Sequence, residues 1–176
     1  MSRRRLLAVL CLGLLVATPA CGGGGFGLPG DEGGGGGGPN PAGMTMSASE
    51  LADGMEVARL VDLERTGRGL PPLTWDDPVG QVAFEHSLDM DQRGYFDHYT
   101  PEGVSPGGRL SAAGIAVGGW AENIAQGQPT PASVVSAWMN STGHRNNILN
   151  GSLTHAGVGV RHGSGGPWWT HLFVAR

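Results

Sequence analysis

Six histidines and two cysteines are the side chains here best suited to catalysis or metal ligation. Cys11 and Cys21 both lie near the amino end, so everything beyond them has no thiol to serve as nucleophile, disulfide partner or metal ligand. The chain has no Gly-x-Ser-x-Gly elbow, His-Glu-x-x-His helix or Gly-Lys-Ser/Thr phosphate loop. What remains is imidazole and carboxylate chemistry: histidine nitrogens suit zinc, and a histidine beside a carboxylate suits acid-base work. None of the histidines has the short local spacing of a zinc motif, so any site they serve is assembled by the fold.

The elements that must position such groups begin only after an unusual amino end. Arg3-Arg4-Arg5 precedes an apolar run from Leu6 to Val16, and small residues then lead to Cys21. That run fits the roughly 7–15 residues of a signal h-region and is short of the ~20 needed to span a bilayer. Residues 1–20 therefore read as a signal peptide. Cys21 directly after Ala20 resembles the lipid-bearing first residue of a bacterial lipoprotein, although Thr18 stands where that pattern prefers leucine. Ordinary cleavage to a soluble secreted protein is the alternative. Either way the expected location is extracytoplasmic.

Residues 21–43 hold the runs Gly22–Gly25 and Gly33–Gly38 with Pro39 and Pro41, and read as a disordered tether with a reach of about 25 Å. Residues 44–176 then suffice for one hydrophobic core. Three of the eleven basic residues fall in the leader and none of the fifteen acidic ones does, so the exported part is more acidic than the whole chain at −4. That excludes a nucleic-acid partner and a polybasic lipid-headgroup surface.

Apolar periodicity predicts a helix over Leu51–Thr66 and a second from a cap at Asp77, through Pro78, to Gly94. A short helix is expected over Ser105–Ala113 and an extended stretch over Trp120–Ala125. Thr130-Pro131 starts another helix, running to Gly143, and a further short one covers Asn146–Leu149. Ala156, Val158 and Val160 alternate, Gly163–Pro167 turns, and Trp168–Val174 completes a hairpin. Helices first and strands last make this an α+β domain with helices on an antiparallel sheet. His86 lies on the apolar face of the second helix and reads as core; His155, His162 and His171 belong to strands or turns. Trp138, Trp168 and Trp169 read as packing residues. Arg109 and Arg145 fit either a cleft cation or a structural ion pair.

Four ordered stretches resemble the CAP (SCP) family of cysteine-rich secretory, antigen 5 and pathogenesis-related proteins, in its bacterial, disulfide-free form. They are Arg65 with Gly69–Leu73, then Phe96-Asp97-His98, then Ala121–Ile124, then Trp138–Leu149; Ala156–Val160 and Trp168–Phe173 match the closing strands. The resemblance implies an α-β-α sandwich with an antiparallel sheet between helices and a cleft lined by two histidines and two acids. By motif match His98, Glu122 and His144 take three of those positions, and Ser141 stands where the second acid is expected. Further departures are Asp62 where asparagine is frequent and Thr142 where proline is.

Such a cleft implies binding of a small molecule, lipid, peptide or envelope polymer, with His98 and His144 as candidate ligands for Zn2+ and Glu122 as a ligand or orienting group. The alternative is a hydrolase in which a histidine or zinc-bound water acts with Glu122. The same three side chains could also form a purely structural polar network. The expectation is a binding module, tethered to the membrane by lipid on Cys21.

Overall fold

The computed structural model describes residues 44–176. The signal, Cys21 and the glycine-rich stretch lie outside the described residues. Helix α1 spans Ala48–Thr66 and starts three residues before the apolar periodicity, because Ser47 and Glu50 form a capping box. Glu50 also accepts the His162 amide at 2.8 Å, which ties the start of α1 to the sheet. Helix α2 spans Asp77–Arg93; its cap is Asp76 rather than Asp77, with the carboxylate accepting from the Val79 amide, and Gly94 closes it at a left-handed φ of 68°.

Helix α3 covers Pro106–Ala112 under a Ser105 cap, and α4 covers Pro131–Asn140 from a Thr130–Ser133 capping box. The expected break at Gly143 falls instead at Ser141, whose extended backbone (φ −97°, ψ 125°) ends α4 and caps α5, Thr142–Ile148. A short strand β1, Thr74–Trp75, adds two residues parallel to β3 (His155–Gly163). It has no counterpart among the sequence expectations, since two residues are too few to show a period. Strands β2 (Gly119–Gln126) and β3 flank β4 (Gly166–Ala175), and both pair with it antiparallel.

The sheet is sandwiched, with α2 and α3 on one face and α1, α4 and α5 on the other. Val79, Val82, Ala83 and Leu110 pack on Leu172 and Val174 across the first face. Val57, Val61, Trp138 and Ile148 pack on Val158, Trp169 and Phe173 across the second. Strand alternation explains the split, since successive residues point to opposite faces. In β3 the positions facing α2 are Gly157 and Gly159, and α2 lies directly against them. A Cβ on Gly159 would stand 1.9 Å from the Phe84 amide nitrogen, and one on Gly157 2.1 Å from that of Gly80.

The outer edge of the sheet is β2, a hazard for unwanted pairing. Its carbonyls are taken by side chains: the Trp138 indole donates to the Ile124 oxygen and the Asn147 amide to the Glu122 oxygen, each at 3.2 Å. His171 is the unusual member of the core. Fully buried, it stacks 3.9 Å from the Phe173 ring, and neither of its nitrogens has a hydrogen-bond partner. Burial, with the Arg65 charge adding to it, pushes its pKa down to about 3. Burial and the Arg109 charge likewise push His86 to about 4, against the opposing pull of Glu122.

This packing makes stability sensitive to one methyl group and to pH. Gly159→Ala drives a methyl into helix backbone that cannot step aside, and should cost about 3 kcal/mol or more, measured by urea unfolding; a loss under ~1 kcal/mol would mean that α2 shifts freely. The two most strongly depressed histidines, His86 and His171, contribute most to the pH dependence between pH 6 and 4. Both are favoured neutral when folded, so their contribution is complete above the ordinary value of 6.5 and is lost as pH falls from there towards 4 and 3. The expected slope is about 1.4 kcal/mol per pH unit for each histidine. His171→Leu should remove roughly half of that slope between pH 6 and 4, and an unaltered slope would show that His171 does not contribute.

Candidate functional site

Glu122 sits in the middle of the edge strand, its side chain only 1% exposed. A carboxylate there needs compensation. Burial works to raise its pKa, but the Arg109 guanidinium, with His86 and His98 alongside, outweighs that and holds it at about 2. One carboxylate oxygen bonds Arg109 from α3, and the other accepts from His98 Nδ1 at 2.9 Å. Because an ionised carboxylate only accepts, the proton lies on His98 Nδ1, and in the neutral ring Nε2 carries the lone pair.

The backbone at His98 is fixed from two sides. His86 Nε2 donates to the Asp97 carbonyl at 2.9 Å, and Arg109 Nη1 donates to the His98 carbonyl at 2.8 Å. The loop that carries them leaves α2 at Gly94 and turns again at Gly103, where φ is 83°. Arg109 thus forms a structural ion pair that joins α3, the loop and β2.

His144 comes from the first turn of α5, on the other side of the edge strand. Asn123, whose side chain points to the opposite face from Glu122, donates to the His144 carbonyl at 3.1 Å. Asn147, one turn along α5, bonds both Asn123 Oδ1 at 2.9 Å and the Glu122 carbonyl. The far end of α5 is anchored by Arg65, fully buried, which donates to the carbonyls of Pro71, Ile148, Asn150 and Leu153 at 2.7–3.2 Å. The Ile148 carbonyl is one that the end of α5 leaves without a helical partner, and a cation suits the negative end of the dipole.

Two imidazoles therefore flank β2, each with a buried Nε2 atom that has no hydrogen-bond partner. The His144 pKa is lowered, first by burial and then by the charge of His98, so the rings are near enough to sense one another. Ser141 lies at the α4–α5 joint and its side chain makes no cap bond. Neither imidazole Nε2 has a hydroxyl partner. Glu122 meets Arg109 with one oxygen and His98 with the other, which makes it an orienting group for the His98 ring. Among the described residues no three His, Cys, Asp or Glu side chains form a group that could hold a metal ion. The donor set here is two imidazoles, short of the three or four protein ligands of most zinc sites.

The remaining histidines are elsewhere: His155 bonds Thr154, and His162 bonds Asp53 at the far end of β3. Arg145 donates to the Met139 carbonyl and closes α4. Asp62 accepts from the Leu73 amide at 2.8 Å and fastens the segment after α1. The parts that sequence reasoning missed are Asn123 and Asn147, which hold α5 to β2, and the pairing of Arg109 with Glu122. A rule was available for the second, since a carboxylate on a buried strand calls for a nearby cation.

Residues 58–174 match the cysteine-rich secretory protein family, CAP. An uncharacterized protein of Bacillus subtilis, YkwD, is 44% identical over 134 residues, covering 75% of this chain and 51% of that protein. This chain thus spans about half the length of that curated relative. Among solved structures, an extracellular protein with an SCP domain from Bacillus anthracis superposes with a TM-score of 0.68 at 29% identity, covering 76% of this chain and 45% of that one. An outer surface protein from Borrelia burgdorferi shares the fold, with a TM-score of 0.67 at 21% identity over 76% of this chain and 98% of its own. No helix among the described residues is long and apolar enough to cross a membrane. The sandwich, the ordered motifs and the family match agree, and the chain belongs to the CAP family.

Proposed function

We propose that this chain is an extracytoplasmic binding module whose cleft takes a ligand at His98 and His144, carried on a lipid anchor at Cys21. The observation that supports it is two buried Nε2 atoms without partners, on histidines close enough for the charge of His98 to lower the pKa of His144. Such groups are costly to leave unmet in a folded protein, and a ligand bringing a hydrogen-bond donor or a cation would satisfy both. The ligand classes compatible with this are a small molecule, a lipid, a peptide or an envelope polymer. The similar Bacillus anthracis protein is extracellular, which supports the location.

Zn2+ enters this reading as a partial fit. His98 and His144 would supply two nitrogen donors, with Glu122 fixing the His98 ring as an outer carboxylate. The ligand or water would have to supply the rest. When bound, zinc would add a positive charge able to polarise a ligand oxygen. A hydrolase would need water as its nucleophile, since no hydroxyl or thiol side chain stands on either Nε2 atom, whereas binding needs only the unmatched Nε2 atoms themselves. The binding reading is therefore preferred.

Calorimetric titration with zinc should give saturable one-to-one binding in the wild type, abolished in the His98→Ala/His144→Ala variant. Equal uptake by both proteins would sink the metal assignment. Cys21→Ser should move the protein from the membrane fraction to the soluble one and remove an acyl-sized mass from its amino end; membrane retention without change would refute the lipid anchor.

A further inference from the structure

Behind α5, the turn that leads into β3 holds the one Asn-Gly pair in the chain, Asn150-Gly151. Gly151 and Ser152 are exposed and Asn150 is half-buried, so water reaches the turn. An Asn-Gly pair is chemically labile, because glycine has no Cβ to hinder attack of its nitrogen on the asparagine side chain. What sets this pair apart is how the fold holds both carbonyl groups of Asn150.

The main-chain oxygen of Asn150 accepts from two donors, Arg65 Nη1 at 3.0 Å and the Leu153 amide at 3.3 Å. Arg65 is fully buried, and the acceptors of its hydrogen bonds are all backbone carbonyls, none of them a carboxylate. The Asn150 oxygen belongs to the same peptide unit as the Gly151 nitrogen. A cation on that oxygen favours loss of the Gly151 proton, since the charge left behind spreads onto the oxygen. Among the described residues the Gly151 amide donates no hydrogen bond, so nothing else holds its nitrogen. The side-chain oxygen, Oδ1, accepts from the Ser152 amide at 2.9 Å. That bond closes a ring across Gly151 and folds the side chain back over the main chain, and its donor lies where charge builds up when Cγ is attacked. Nucleophile and electrophile are both polarised by fixed donors.

We infer that Asn150-Gly151 is a self-modification site, at which the folded domain converts Asn150 to isoaspartate. The Gly151 nitrogen, its proton taken by hydroxide, bonds to Asn150 Cγ; the Cγ–Nδ2 bond breaks, and ammonia leaves after taking a proton from water. The product is a five-membered succinimide. Water then adds to one of its two carbonyl carbons. Arg65 and the Leu153 amide polarise the main-chain carbonyl, so addition is directed there. The bond from that carbon to the Gly151 nitrogen breaks, and the chain continues through Cγ. The carbon whose oxygen Arg65 held becomes a carboxylate. A buried guanidinium that met only neutral carbonyls gains an anion, which favours this product over ordinary aspartate. The inference does not depend on the His98–His144 cleft, although the altered link follows α5, the helix that carries His144.

Ageing of the full chain in mildly alkaline buffer tests this. Peptide mass spectrometry reads the amide-to-acid mass gain at Asn150, and isoaspartyl methyltransferase labelling separates isoaspartate from aspartate. An ordered turn ordinarily slows this reaction by restricting the approach of the side chain, so the reference is the same protein unfolded in urea at the same pH. The folded chain should react about tenfold faster than the unfolded one, with a larger isoaspartate fraction. Gly151→Ala, whose Cβ meets only Leu70 Cδ2 at 3.4 Å, should keep its circular dichroism and slow the folded reaction at least about tenfold. A folded rate equal to or below the unfolded rate overturns the inference. So does an isoaspartate fraction no larger in the folded protein, which would leave Arg65 without influence on the product.

Discussion

A carboxylate buried in the edge strand organises this domain. Glu122 cannot remain charged there unless a cation and donors come to it, and those that do belong to different elements. Arg109 brings α3, His98 brings the loop after α2, and Arg109 also bonds the carbonyl of His98 itself. Compensation of one buried charge thus decides where the loop runs and which nitrogen of His98 is left without a partner. The adjacent Asn123 does the same for the other face, holding His144 and Asn147 of α5. Two consecutive residues, pointing in opposite directions because a strand alternates, hold His98 and His144 in place.

The scaffold beneath that site is stabilised without covalent links. No cysteine occurs between Met44 and Arg176, so close packing must do here what disulfides do in many small secreted domains. Gly157 and Gly159 let α2 rest on the β3 backbone, and Arg65 collects the loose carbonyls behind α5. These devices are rigid.

Buried histidines run through both faces of the sheet, and their environments differ in ways that matter. His86 is core by position but donates to the loop beside His98, so it belongs to the support of the site. His171 has no hydrogen-bonding role and lies among aromatic rings. His98 and His144 differ from both, because each offers an unmatched Nε2 near the other. Residue type alone does not separate these four.

The sequence by itself determined the family, the α+β character, the order of the helices and the three candidate residues His98, Glu122 and His144. Those features are local: capping residues, apolar periods and motifs are each written within about twenty consecutive positions. It misplaced the α4–α5 break and missed β1, because neither Ser141 nor a two-residue parallel strand has a periodic signature. Only tertiary structure decided that the two Glu122 oxygens meet Arg109 and His98, and that two imidazoles flank β2 with no group of three metal-ligating side chains among the described residues. Hydrogen-bond satisfaction of a buried charge depends on groups far apart in the chain, and spacing along the sequence does not encode which of them arrive.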